Sequence, residues 1–172
     1  MRLFSSPRSD RNGTEAVYAL LGYAFGSMFG RVLPELKKTP NGKPYFPDEP
    51  HIHFSLSHAR THVLCAIDDS PVGVDIESPR TIGERAISYF CSPQEASLFE
   101  PLELWVLKES YIKLLGATLP SVKRFAFSRL DGAIIPPEKK AQSKLYKIDG
   151  CTAAVSTYGA MLPDEVEFVQ LW

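Results

Sequence analysis

Three apolar, strand-like runs, IHFSLS (52–57), HVLCAID (62–68) and PVGVDIE (71–77), follow one another with only a few residues between them, and DDSP marks a turn between the second and third. Strands joined this tightly predict an antiparallel meander. Helical spacing precedes them over 14–33, with Thr14 as the N-cap and Pro34 near the stop. It returns over 81–116, where EPLELWVLKESYIKLLG places Pro101 at the first helical position and Gly116 just past the end. KKTPNGKPYFPDEP, between the first helix and the strands, is a loop. After 116 the chain reads as strands again: RFAFSRL, GAIIP, KLYKI, CTAAVSTY and VEFVQLW. The block order helix, strands, helices, strands predicts an α+β fold.

With 172 residues, 44% of them hydrophobic, the chain can bury the core of one domain or of two small, joined halves. A formal charge of −1 supplies no global field for nucleic acid or anionic membrane, so any anion site must be local. The longest uncharged apolar run, AVYALLGYAFGSMFG, is too short to span a bilayer, and no signal-peptide pattern precedes it. Cys65, Cys91 and Cys151 are odd in number and widely spaced, and read as reduced thiols. A cytoplasmic protein is expected, with no membrane and no nucleic acid among its partners.

Chemistry is suggested by four segments. PVGVDIE ends by placing Asp75 and Glu77 on one side of a strand, about 6 to 7 Å apart. At an effective dielectric near 20 they would repel by about 2 to 3 kcal/mol without a cation between them. The bland alternative is a solvated strand end with Arg80 as partner. In WVLKESYIK, Trp105, Glu109 and Lys113 fall four apart and line one helical face, where Glu109 and Lys113 could equally be a surface ion pair. Asp75, Glu77 and Glu109 together offer hard oxygen donors suited to Mg²⁺ or Mn²⁺ rather than zinc. Lys43 in NGKPYF and Ser57 with His58 in FSLSHA are candidates for holding phosphate.

In order, GKP (42–44), FSLSHA (54–59), VGVDIE (72–77), CSPQE (91–95) and WVLKESYIK (105–113) resemble the motifs of the 4′-phosphopantetheinyl transferases, of the surfactin-synthetase-activator type. The resemblance implies two similar α+β halves related by a pseudo-twofold, residues 1–74 and 75–172, with coenzyme A in the cleft between them. It implies a first half whose opening strands are reduced or absent. Because the GxD motif sits mid-chain at 73–75, it implies a monomer.

Carried over residue by residue, the resemblance makes Asp75, Glu77 and Glu109 ligands of Mg²⁺ (Mn²⁺ being possible) and sets Lys113 on the phosphate under attack. Lys43, beside Pro44, would bind the adenosine-side phosphates of coenzyme A together with Ser57 and His58, Glu95 would support the cleft, and Arg8 or Arg11 would also contact coenzyme A. The implied reaction moves phosphopantetheine onto a serine of an apo acyl or peptidyl carrier protein and releases 3′,5′-ADP, with Glu109 or a metal-bound water as base. Two alternatives stand beside it. One is a non-catalytic coenzyme A or carrier-protein binding module; the other is a metallohydrolase built on His51, His53 and His58.

Overall fold

Two β-sheets stacked face to face, each carrying one long helix on its outer side, are described for residues 1–159 and 161–172 in a computed structural model. The chain opens with β1 (Arg2–Pro7) and α1 (Gly13–Phe29). A short hairpin of β2 (Lys37–Lys38) and β3 (Pro44–Tyr45) leads to β4 (His53–His58), β5 (His62–Asp68) and β6 (Val72–Glu77). Then come α2 (Glu84–Phe90), α3 (Pro93–Ala96), α4 (Pro101–Leu115) and a 3₁₀ turn, Leu119–Arg124. The chain closes with β7 (Ser128–Leu130), β8 (Ala133–Ile135), β9 (Gln142–Ile148), β10 (Cys151–Thr157) and β11 (Glu167–Phe168). This is the expected α+β class.

The first sheet has the order β11-β1-β5-β4 and the second β6-β10-β9. The predicted meander is therefore corrected: β4 and β5 pair, but β6 leaves and pairs with β10. The cause is β1, which takes the other edge of β5 from Arg2↔Ile67 to Pro7↔His62, the edge a meander would give to β6. β1 itself is not among the runs predicted as strands. Two serines and a proline in RLFSSP hid its strand character. Val74 and Asp75, on either side of the expected boundary between halves, lie on one continuous strand, and β11 returns to pair with β1.

Helix ends differ from expectation by a residue or two. Asn12 is the cap of α1, its Oδ1 accepting from the Thr14 amide at 2.8 Å, and the helix stops at a left-handed Gly30 (φ 66°) before reaching Pro34. In α4, Pro101 opens the helix and left-handed Gly116 (φ 61°) closes it, as the sequence predicts.

Period-2 alternation assigns the faces. Val63, Cys65 and Ile67 of β5 meet Leu20, Leu21 and Phe25 of α1, while Leu64 and Ala66 turn to the second sheet. Each such large side chain, removed from water, contributes about 1.5 to 3 kcal/mol. On β6, Val72, Val74 and Ile76 face the first sheet. Gly73, Asp75 and Glu77 consequently face α4. A Cβ on Gly73 would lie 2.0 Å from the Ser110 carbonyl oxygen and 2.3 Å from the Leu114 nitrogen, so strand and helix touch backbone to backbone.

Gly73→Ala tests that contact. The clash is with backbone and cannot be relieved by a rotamer change. Destabilisation of about 2 to 4 kcal/mol is expected, read as a lowered denaturant midpoint with an unchanged slope. A change below about 0.5 kcal/mol would show that α4 does not depend on this approach.

Candidate active site

The crossing of β6 and α4 gathers the chemistry. Lys113, in the last turn of α4, donates through Nζ to Asp75 Oδ1 (2.8 Å) and to Ser57 Oγ (3.0 Å). Ser57 itself donates to Asp75 Oδ1 at 2.8 Å and accepts from the Ile76 amide at 3.3 Å. Ser55, two residues back on the same face, accepts from the Val74 amide at 3.0 Å. These two hydroxyls bridge β4 to β6 where no strand ladder runs between the sheets.

Glu77 is held from two sides. Trp105 Nε1 donates to Oε1 at 3.2 Å, and Arg80 makes a forked contact, Nη2 to Oε1 at 2.9 Å and Nε to Oε2 at 3.2 Å. The cations that the paired acids require are thus Lys113 for Asp75 and Arg80 for Glu77. The surface ion pair of Glu109 with Lys113 is not among the contacts of the described residues, because Lys113 is drawn across to the strand.

Glu109 is the third acid. Burial, then the nearby Asp75 charge, pushes its carboxyl up to about 7; Lys113 pulls the other way and Glu77 adds to the rise. Among the described residues no three of His, Cys, Asp and Glu stand at ligating separation.

The remaining candidates divide. Ser57 is in the cluster, but His58, its neighbour on β4, points to the opposite face and lies exposed against the start of α1, where a Cβ on Gly13 would come within 2.7 Å of its Nδ1. Lys43 lies at the C-terminal end of α4, its ammonium on the carbonyls of Lys113 (2.6 Å), Val72 (3.1 Å) and Leu114 (3.4 Å). Lys43 and Pro44 line a cavity of about 210 Å³ with Lys113, Ser55 and Gly116.

Arg8 binds the carbonyls of Arg11 and Ala59, whereas Arg11 stacks on Trp172 at 4.8 Å. Glu95, 3% exposed, accepts from Lys108 and from the amides of Ser92 and Phe127, a brace between α3, α4 and the strand after it. His53 and His58 sit at opposite ends of β4, about 16 Å apart by strand rise, which no single metal bridges. Sequence reasoning placed Trp105 on the right face without seeing its bond to Glu77, and it missed Ser55 and Lys108. A hydroxyl two residues before Ser57 was the available signal for the first.

Comparison with known proteins bears on this crossing directly. Residues 71–155, from just before β6 into β10, match the model of the 4′-phosphopantetheinyl transferase superfamily. Over 145 residues, 74% of the chain, the sequence is 30% identical to the 4′-phosphopantetheinyl transferase Sfp of Bacillus subtilis (strain 168). Through residues 71–155 the chain belongs to the 4′-phosphopantetheinyl transferase superfamily.

It is also 41% identical over 86 residues to the 4′-phosphopantetheinyl transferase psf-1 of Bacillus pumilus, and 31% identical over 111 residues to a putative 4′-phosphopantetheinyl transferase of Haemophilus influenzae. These matches cover 44% and 55% of the chain. The chain spans 65%, 37% and 47% of the lengths of these three relatives, respectively. In this transferase-family chain, the part shared with the superfamily model carries Asp75, Glu77, Glu109 and Lys113 together.

The raised Glu109 carboxyl has a consequence for stability. Its folded pKa lies above the unfolded value, so its contribution is fully present below about pH 4.5 and is lost as pH rises through about 7. At about 1.36 kcal/mol per pKa unit, discounted for a carboxyl that still sees solvent, the loss is about 1 to 2 kcal/mol. Denaturant unfolding of wild type and Glu109→Gln in chelator at pH 5 and pH 8 should show the variant gaining that amount relative to wild type at the higher pH. Parallel behaviour would mean the carboxyl titrates normally.

Proposed function

We propose that this chain moves the phosphopantetheine arm of coenzyme A onto a serine hydroxyl of an apo acyl or peptidyl carrier protein, Mg²⁺-dependently, releasing 3′,5′-ADP. The observation that carries the reading is the convergence of Asp75, Glu77, Glu109 and Lys113 at one strand–helix crossing, within the segment matched to the superfamily. The transfer breaks a pyrophosphate bond and deprotonates an alcohol. It needs cationic charge beside the phosphoryl oxygens and a base near the attacking hydroxyl.

Lys113 supplies the charge. Its ammonium is held by side chains alone, Asp75 and Ser57, and its side chain keeps 30% of its exposure, so it can exchange them for a phosphoryl oxygen. Glu109 is placed to accept the serine proton; its rise to about 7 belongs to the metal-free protein, and the cation it would hold would lower it. The cavity lined by Lys43, Pro44, Ser55 and Lys113 forms the coenzyme A side of the site, with Ser57 bound to Lys113 beside it and His58 on the other face of β4, toward α1.

The donor set fits a hard divalent ion. Three carboxylates share the crossing without thiolate or imidazole, and the upward push that Asp75 and Glu77 exert on Glu109 is the stress that such an ion relieves. Asp75, Glu77 and Glu109 would hold Mg²⁺, or Mn²⁺, which when bound neutralises charge on the pyrophosphate. No helix among the described residues is long and apolar enough to cross a membrane, and the three cysteines are free. We place the protein in the cytoplasm as a monomer whose single chain supplies the whole crossing.

The test is direct. Incubation with coenzyme A, Mg²⁺ and a panel of apo carrier proteins should give a phosphopantetheine adduct on serine by mass spectrometry. Asp75→Ala should cut single-turnover transfer by about 10²-fold or more, and EDTA should do the same reversibly. Coenzyme A binding without transfer to any carrier would favour a binding module, and undiminished transfer in EDTA would refute the metal.

A further inference from the structure

The end of α4 is capped from outside the helix, by the turn between β2 and β3. A helix leaves its last carbonyls without intrahelical donors. Here Asn41 Nδ2 donates to the Gly116 carbonyl at 2.9 Å, and Lys43 Nζ donates to the carbonyls of Lys113 at 2.6 Å and Leu114 at 3.4 Å. The same ammonium reaches the Val72 carbonyl, at the first residue of β6, at 3.1 Å.

Both donors stand on the turn joining β2 to β3. Thr39 closes that turn: its amide bonds the Lys43 carbonyl at 2.9 Å, its hydroxyl accepts from the Lys43 amide at 3.1 Å, and its carbonyl accepts from Gly42 at 2.8 Å. Gly42 sits at φ 85°, a conformation that suits glycine. The Lys43 stem lies along Gly116, whose added Cβ would meet its Cδ at 3.7 Å. Burial pulls Lys43 down to about 8, which leaves an ammonium at neutral pH, and the negative end of α4 favours that charge. Lys113 is thus bound at both ends, its carbonyl by Lys43 and its ammonium by Asp75 and Ser57.

We infer that the Asn41–Lys43 turn is a clamp that sets the position of Lys113 over the β6–α4 crossing, and that Lys43 is a positioning residue whose ammonium binds the helix end rather than a phosphate of coenzyme A. The kinetic part of this rests on the transferase reading; the structural part does not.

Lys43→Met keeps the stem and removes the charge. Two readouts separate clamp from phosphate ligand. Amide hydrogen exchange at 112–117 should speed up about tenfold or more as the last turn of α4 loosens. Single-turnover transfer should fall about tenfold, by the same factor with coenzyme A and with dephospho-coenzyme A, which lacks the 3′-phosphate. A loss confined to coenzyme A, with exchange at 112–117 unchanged, overturns the inference and makes Lys43 a phosphate ligand. If wild type transfers nothing to any carrier, the functional reading fails and the exchange measurement alone decides the clamp. Should Lys43→Met not fold, Asn41→Ala decides it: about threefold faster exchange at 112–117 supports the clamp, and no change overturns it.

Discussion

The backbone contact of β6 with α4 at Gly73 is the constraint on which the site depends. Because side chains alternate along a strand, the face that carries Gly73 also carries Asp75 and Glu77, and the missing side chain at 73 lets the helix come down onto that face. The helix in turn presents Trp105, Glu109 and Lys113 at four-residue intervals along the line of contact. A side chain at 73 would lift α4 and separate the acids of the strand from the acid and base of the helix. One glycine thus couples packing to chemistry.

The first sheet is joined to this crossing by polar side chains instead of a ladder. Ser55 and Ser57 accept from successive inward amides of β6, and Asn41 and Lys43 bind the far end of α4. The apolar layer between the sheets, Leu3, Leu64 and Ala66 against Val74, Ile76 and Val155, supplies cohesion without direction. The hydrogen bonds at its margin give the register that a sheet edge would otherwise provide.

Two lysines on α4 show how burial sorts structural from available charge. The Lys108 side chain, 1% exposed, is bound to Glu95 and to the Phe90 carbonyl, and removing either partner would leave a buried charge uncompensated. Lys113, five residues on, keeps 30% exposure and binds through groups that belong to the site itself. At the crossing Asp75 has Lys113, Glu77 has Arg80 and Trp105, and the carboxyl of Glu109 is pushed up to about 7, first by burial. The pairing that neutralises the crossing in this state uses groups able to face a pyrophosphate.

Much was readable in order along the chain. Local rules placed α4 between Pro101 and Gly116, put Asp75 with Glu77 and Glu109 with Lys113 on shared faces, and predicted the α+β class, because period and capping depend only on neighbours in sequence. The partners of those faces were not readable. That β6 crosses to a second sheet follows from β1 occupying the edge of β5, a contact between residues about 60 apart. That Lys113 answers Asp75 rather than Glu109, that His58 turns away from Ser57's side toward α1, and that Lys43 closes on a helix end were settled by which surfaces meet when the two sheets stack. The sequence by itself determined which residues share a face. Only the tertiary structure decided what each face meets, since hydrogen bonds and charge pairs are fixed by distances across the chain and not by spacing along it.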